Sequence, residues 1–174
     1  MTFQGACVVM GVTCCGKTSV GEALAEKLDV KWFVEGDKLH PKANIAKMSA
    51  GIPLTDTDRW PWLEEVGKAL AGTEGKIASC SALKRSYREH IAKAAGRPVA
   101  FVFLDGSRDV LQERINARKN HFMPPSLLDS QLKTLEPPAA DEWSLRVDIA
   151  LPLTEQVLEA ADWLEAGLEF YPPW

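Results

Sequence analysis

Residues 11–18 of the chain read Gly11-Val12-Thr13-Cys14-Cys15-Gly16-Lys17-Thr18 and fit the pattern G-x-x-x-x-G-K-[ST]. This segment follows an apolar run at Ala6–Met10 and precedes a stretch in which Val20, Leu24 and Leu28 recur every four residues. The predicted order is therefore a strand, a glycine-bearing loop and a helix with one apolar face. Because consecutive backbone amides and the positive end of a helix can hold phosphate groups, the segment predicts a nucleotide-phosphate site.

The side chains of this phosphate loop have expected parts in the site. Lys17 can reach the β- and γ-phosphates, and Thr18 can present its hydroxyl to Mg²⁺. Cys14 and Cys15 stand where many such loops carry glycine and serine. Their thiols are either passive or, beside a helix N-terminus, acidified and easily oxidised, and we favour the passive interpretation. The residues predicted to bind ATP are Gly11, Val12, Thr13, Cys14, Cys15, Gly16, Lys17 and Thr18.

Further apolar, β-branched runs occur at 32–34, 77–80, 99–104 and 147–151, with helical periodicity between them. Strands that alternate with helices favour a parallel sheet, because each crossover between parallel strands needs a helix. The sequence therefore predicts an α/β fold in three layers, with a five-stranded parallel sheet covered by helices on both faces.

A second apolar stripe, formed by Leu63, Val66 and Leu70, follows a proline at position 61. Proline is tolerated in the first turn of a helix, and Thr57 or Asp58 could cap that turn. We therefore predict that a helix begins near Pro61.

Composition and charge narrow the class of protein. The 174 residues are 46% hydrophobic and 25% charged, which fits one globular domain spanning 1–174. A net charge of −4 gives no general attraction for nucleic acid or anionic membranes. Four cysteines without metal-ligand spacing favour a reducing compartment, and the N-terminus lacks the pattern of a secretory signal. A cytoplasmic protein is expected.

An aspartate follows the second predicted strand. Asp37 stands where the carboxyl ends of parallel strands line the ligand crevice, so it can orient an attacking hydroxyl or accept its proton. The alternative is a cap for the next helix. A GTP-dependent switch would carry D-x-x-G and N-K-x-D segments, and neither pattern occurs. The residues thus favour a kinase over a switch.

The segments around these positions closely resemble the gluconate kinase family. Those that carry the resemblance are residues 36–41 (GDKLHP), 44–48 (NIAKM), 51–59 (GIPLTDTDR), 61–63 (PWL) and 80–84 (CSALK), followed by Tyr87-Arg88, Arg114, Arg118, His121-Phe122, Ser130-Gln131 and Leu135-Glu136-Pro137. The resemblance implies a fold related to shikimate and nucleoside-monophosphate kinases, ATP-dependent conversion of D-gluconate to 6-phospho-D-gluconate, and a homodimer. Cys14, Cys15 and the tail at 170–174 depart from the family pattern.

A gluconate pocket needs a cation for the carboxylate and several hydrogen-bonding groups for the hydroxyls. Arg59 is the leading carboxylate partner because its planar guanidinium can contact both oxygens, whereas Lys84 offers a point charge. Singly, each of these residues could instead be an ordinary surface side chain. The residues predicted to bind the substrate are Asp37, His40, Asn44, Arg59, Lys84, Arg88 and Gln131.

Two arginines follow the fourth predicted strand. Arg114 and Arg118 are four residues apart, so on a helix they would share a face. By resemblance they are lid arginines that bind the nucleotide, with residues 119–125 as the moving lid. Lys17, Asp37 and Arg118 are the predicted catalytic residues. The remaining alternatives are another small-metabolite kinase, such as a shikimate-type kinase, or a nucleotide-binding protein without turnover.

Overall fold

A computed structural model describes residues 2–118 and 125–168 of the chain. The predicted lid at 119–125 therefore lies, apart from Pro125, outside the described residues, as do His121, Phe122 and the tail at 170–174. The strands are β1 (Ala6–Met10), β2 (Trp32–Glu35), β3 (Lys76–Ser79), β4 (Val99–Asp105) and β5 (Ser144–Asp148). The helices are α1 (Lys17–Lys27), α2 (Lys42–Ser49), α3 (Asp56–Ala69), α4 (Arg85–Ala95), α5 (Arg108–Ala117), α6 (Pro125–Thr134) and α7 (Leu153–Gly167).

The five strands form one parallel sheet in the order β2-β3-β1-β4-β5. β1 is fully buried between β3 and β4, which accounts for its unbroken apolar sequence. α1 packs against α7, while α3 packs against α4. Because β–α–β crossovers are right-handed, these two pairs cover opposite faces of the sheet. The predicted three-layer α/β fold with a five-stranded parallel sheet is confirmed.

The last strand was predicted three residues too late. β5 spans Ser144–Asp148 and pairs with Phe101–Asp105 of β4, whereas Leu151 donates its N–H to the Asp148 carbonyl in a turn. β5 is an edge strand in which buried Val147 has exposed neighbours at Arg146 and Asp148. An alternating edge strand lacks the continuous apolar run that marks buried parallel strands. The apolar run at 147–151 therefore predicted the strand at residues that lie partly after its true end.

The start of α3 also differs from the prediction. The helix begins at Asp56, and its N-cap is Thr55, whose hydroxyl accepts a hydrogen bond from the Asp58 N–H at 3.2 Å. In return, the Asp58 carboxylate accepts from the Thr55 N–H at 2.8 Å. This reciprocal capping box fixes the start of the helix one turn before Pro61, which lies inside α3.

No helix in the parts of the chain that the structure describes is both long enough and apolar enough to cross a membrane.

We expect Thr55→Ala to lower the free energy of unfolding by about 1 kcal/mol, since it removes the N-cap acceptor. Urea denaturation measures the loss. Thr57→Ala is the matched control, because Thr57 is exposed in the same turn and is not the cap. Equal losses for the two variants would contradict the capping role.

Candidate active site

The phosphate loop occupies the connection between β1 and α1, as predicted. Gly11 has φ +145°, and a Cβ there would lie 2.7 Å from Cys15 Sγ and 2.8 Å from the Leu104 carbonyl oxygen. Gly16, with φ +97°, is the N-cap residue of α1. Both positions therefore require glycine, which allows the backbone to wrap closely over the start of the helix.

Polar groups of the loop point to a nucleotide and a metal. Lys17 Nζ donates to the Val12 carbonyl at 3.0 Å, and Thr18 Oγ1 donates to Glu35 Oε1 at 3.1 Å. A hydroxyl beside a carboxylate offers the oxygen ligands that Mg²⁺ prefers when it is bound mainly through substrate phosphates. The described residues contain no cluster of three or more His, Cys, Asp or Glu that would hold a metal by itself. The residues present thus fit Mg²⁺ carried with a nucleotide.

The two loop cysteines are buried. Cys14 has φ +63°, a left-handed conformation that is uncommon for a residue with a Cβ. Burial raises the pKa of the Cys15 thiol, and this outweighs the opposing charge of Lys17. A protonated, buried thiol is unreactive, so Cys15 fits the passive interpretation.

Two side chains from later in the chain brace the loop. Gln131 Oε1 of α6 accepts from the Thr13 N–H at 2.7 Å. The Arg114 guanidinium donates to the Cys15 carbonyl at 3.2 Å and to the Ile149 carbonyl at 2.7 Å. Arg114 thus lies against the C-terminal part of the phosphate loop. Gln131 lies against the phosphate loop.

Asp37 lies at the carboxyl edge of the sheet, in a single 3₁₀ turn at Gly36–Leu39 that follows β2. Its side chain is exposed and makes no hydrogen bond to any residue in the described ranges. The N-cap of α2 is Pro41. The alternative in which Asp37 caps the next helix therefore has no support, and its carboxylate is available for chemistry.

His40 and Asn44 form a buried pair beside Asp37. Asn44 Nδ2 donates to the Asp58 carbonyl at 2.9 Å and lies 3.2 Å from His40 Nδ1. Since the first contact identifies this amide atom as nitrogen, His40 Nδ1 must be the acceptor and the ring proton sits on Nε2. Burial lowers the pKa of His40, although the charge of Asp37 opposes the shift. His40 is thus a neutral hydrogen-bond donor stacked on Trp62, with ring centroids 4.0 Å apart.

Two predicted carboxylate partners meet in what we call the cationic cluster, which comprises Asp56, Arg59, Lys84 and Tyr87. Arg59 Nη1 donates to Tyr87 Oη at 3.0 Å and lies 3.5 Å from the Asp56 carboxylate. Lys84 Nζ lies 3.4 Å from the other oxygen of Asp56. The structure therefore brings Arg59 and Lys84 together, from the first turn of α3 and the N-cap of α4.

Arg88 does not join this cluster. Its guanidinium is buried, donates to both oxygens of Glu142 at 2.6 and 3.1 Å, and donates to the Ala82 carbonyl at 2.9 Å. Burial alone would raise the pKa of Glu142, but the hydrogen bonds from Arg88 and Ala139 hold it below its usual value. These contacts commit Arg88 to holding α4 against the segment before β5, and they give its predicted substrate role no support.

Arg118 is placed differently from the prediction. α5 ends at Ala117, and Arg118 is its C-cap, with an extended conformation of φ −80° and ψ 101°. The argument that it shares a helical face with Arg114 therefore fails. Its side chain is exposed at the end of the first described range.

Three functional candidates were missed by sequence reasoning. Glu35 contacts the Thr18 hydroxyl, while Asp56 and Tyr87 contact Arg59. Glu35 ends β2, so the rule that located Asp37 at the carboxyl edge could have found it. Asp56 and Tyr87 are 31 residues apart, and no local pattern predicts their contact.

Comparisons with known proteins show what the chain is similar to. A family model described as an AAA domain matches residues 7–138. The gluconokinase of Gluconobacter oxydans (strain 621H) is 50% identical over 145 residues, covering 80% of this chain and 80% of that protein. A crystal structure of a gluconokinase from Sinorhizobium meliloti 1021 has a TM-score of 0.89 at 54% identity, covering 97% of this chain and 96% of that one. The shikimate kinase from Aquifex aeolicus vf5, with a TM-score of 0.57 at 16% identity over 94% of this chain and 98% of that one, shares the fold alone.

We expect Arg88→Ala to lower the free energy of unfolding by about 3–5 kcal/mol, because it removes a buried guanidinium and leaves the largely covered Glu142 carboxylate without its partner. Arg85→Ala is the control: Arg85 lies on the same helix and pairs with Glu89 and Asp141, but in solvent, so its effect on the free energy of unfolding should be much smaller. Urea denaturation compares the two. A stable Arg88→Ala protein would show that this pair does not hold α4 in place.

Proposed function

The chain belongs to the gluconokinase family, and we propose that it transfers the γ-phosphoryl group of ATP to D-gluconate, giving 6-phospho-D-gluconate and ADP. The observation that carries this proposal is the pairing of Arg59 and Lys84 at the carboxyl edge of a sheet that also carries the phosphate loop. A cation pair suits an acceptor with a carboxylate at one end, and the loop suits a nucleoside triphosphate.

At the nucleotide side, the loop backbone and Lys17 bind the phosphates. Arg114 and Gln131 keep the loop in its binding conformation through the Cys15 carbonyl and the Thr13 N–H. Thr18 would hold Mg²⁺ through its hydroxyl, with Glu35 orienting that hydroxyl. When bound, Mg²⁺ offsets negative charge on the phosphates. Arg118 remains a proposed partner of the transferring group, since it is a cation that follows directly on the helix bearing Arg114.

At the acceptor side, Asp37 orients the 6-hydroxyl of gluconate and accepts its proton as the new oxygen–phosphorus bond forms. The bond between the γ-phosphorus and the bridging oxygen breaks in the same transfer, and ADP leaves with that oxygen. His40 donates from Nε2–H to a hydroxyl oxygen of the acceptor. Asn44 keeps the proton on that nitrogen, because its own amide occupies Nδ1.

The opposite end of gluconate is held by charge. Arg59 binds the carboxylate and Lys84 assists it. Because Arg88 is paired with Glu142, it has no role in this assignment. An uncharged sugar leaves Arg59 without its partner, so discrimination against glucose of about 2–4 kcal/mol is expected.

We also propose that residues 1–174 act as one kinase domain, that the protein is cytoplasmic and that it is a homodimer. The last two rest on the resemblance and composition given above. Light scattering at micromolar concentration measures the molar mass in solution, and a monomer at that concentration would contradict the proposed homodimer.

An assay of ADP release with gluconate, glucose, shikimate and adenylate as acceptors tests the function. We expect gluconate to exceed glucose by roughly 30- to 1,000-fold in kcat/KM, as 2–4 kcal/mol implies. Asp37→Asn should bind ATP normally and lower kcat, because it removes the proton acceptor without changing the loop. Shikimate or adenylate as the preferred acceptor would defeat the proposal, as would ATP binding without turnover on any of the four.

Arg59→Ala should raise the KM for gluconate and narrow the preference for gluconate over glucose, since it removes the group that distinguishes them. Lys68→Ala is the control, because Lys68 is an exposed cation further along α3 that pairs with Glu64 and Glu65. If Arg59→Ala leaves the preference unchanged, Lys84 alone is the carboxylate anchor or the acceptor is bound elsewhere.

A further inference from the structure

The cationic cluster contains a carboxylate of its own. Asp56 presents one oxygen 3.5 Å from Arg59 Nη1 and the other 3.4 Å from Lys84 Nζ. Arg59 lies in the first turns of α3 and Lys84 is the N-cap of α4, so both cations sit at the positive ends of helices. Such placement is electrostatically unfavourable, and it is not what helix stability alone would select.

Tyr87 links these groups into one network. Its buried hydroxyl donates to the Asp56 carboxylate and accepts from Arg59 Nη1 at 3.0 Å. The side chains of Arg59 and Lys84 also lie over its ring, 5.5 and 5.6 Å from the centroid. Tyr87 thus sets the separation of the two cations from a position fixed in the core.

Asp56 is charged at neutral pH. The hydrogen bond from Tyr87 and the neighbouring charges of Lys84 and Arg59 hold the pKa of Asp56 below its usual value. The cluster therefore combines two positive charges with one negative charge and carries a net charge of about +1.

The network uses only one nitrogen of the Arg59 guanidinium, so the other nitrogens can bind a ligand. Its contacts to Tyr87 and Asp56 both use Nη1, whereas Nε and Nη2 have no hydrogen-bond partner among the residues that the structure describes. The side chains of Arg59 and Lys84 keep 19% and 32% of their surface exposed. A ligand can thus bind both cations without displacing Asp56.

We propose that Asp56 is a specificity-determining residue that sets the acceptor site for a singly charged carboxylate and disfavours a doubly charged phosphate monoester, with Tyr87 as the residue that positions the cations. The inference rests on the proposed function. By leaving one net positive charge, Asp56 matches the single charge of an aldonate. A dianion is repelled by Asp56 twice as strongly as a monoanion at the same distance. Asp56 therefore lowers the affinity for a dianion more than it lowers the affinity for a monoanion.

Calorimetric titration of the full chain at pH 8, with the phosphate loop saturated by Mg²⁺–ADP, tests this assignment. The ligands are D-gluconate and D-glucitol 1-phosphate, which keeps the free 6-hydroxyl but carries a phosphate that is a dianion at this pH. Asp56→Asn should shift the ratio of the two affinities about fivefold towards the phosphate, the size of one added unit-charge interaction at ~4 Å in water. Tyr87→Phe should weaken both ligands by the same factor and leave the ratio unchanged.

Glu65→Gln is the matched control, because it removes an exposed negative charge from the same helix outside the cluster and should not change the ratio. A helix-stabilising role for Asp56 would move the melting temperature but not the ratio, so an unchanged ratio in a folded Asp56→Asn protein that binds gluconate overturns the inference. If that variant does not fold, Asp56→Ser should show the same shift towards the phosphate, and an unchanged ratio there overturns the inference equally. If the wild-type protein neither binds nor phosphorylates gluconate, the proposed function itself fails. An unchanged ratio in a variant that does bind gluconate overturns only the role of Asp56, so the two failures are distinguishable.

Discussion

The burial of β1 between two parallel partners is the constraint on which the rest of the molecule depends. Hydrogen bonding to β3 on one side and β4 on the other aligns the carboxyl ends of all three strands at one edge. The phosphate loop leaves the end of β1, and its first residue is held there because the Gly11 N–H donates to the Ser81 carbonyl beyond β3. The phosphate loop and the proposed acceptor residues therefore lie at the same edge of the sheet.

Helix α3 connects recognition to chemistry on the acceptor side. Trp62 donates from its indole N–H to the Gly36 carbonyl at 2.8 Å, beside Asp37, and stacks on His40. Arg59 lies one turn earlier on the same helix. The turn that carries the proposed base is therefore tied through Trp62 to the helix that carries the proposed carboxylate anchor, and this arrangement favours an acceptor of matching length.

Local patterns were sufficient to predict the sheet and the loop, because buried parallel strands and glycine-dependent turns leave strong signals in the sequence. β5 was misplaced because an edge strand carries only a weak apolar signal. The start of α3 was misplaced because Pro61 was taken to mark the first helical turn, whereas the capping box of Thr55 and Asp58 begins the helix earlier. The pairing of Arg88 with Glu142, 54 residues away, depends on tertiary packing that no local pattern contains.

Arg59 and Arg88 show why residue type alone could not assign roles within the site. Both are arginines on helices that pack together, and both were predicted to bind the substrate. Arg88 is 2% exposed, and its guanidinium is bound to Glu142 and the Ala82 carbonyl, so an added ligand would have to displace a buried ion pair. Arg59 uses one nitrogen for Tyr87 and Asp56 and retains donors at an accessible surface. The difference lies in how completely each guanidinium is satisfied by the protein itself, and an incompletely satisfied cation is the one that gains most from a substrate carboxylate.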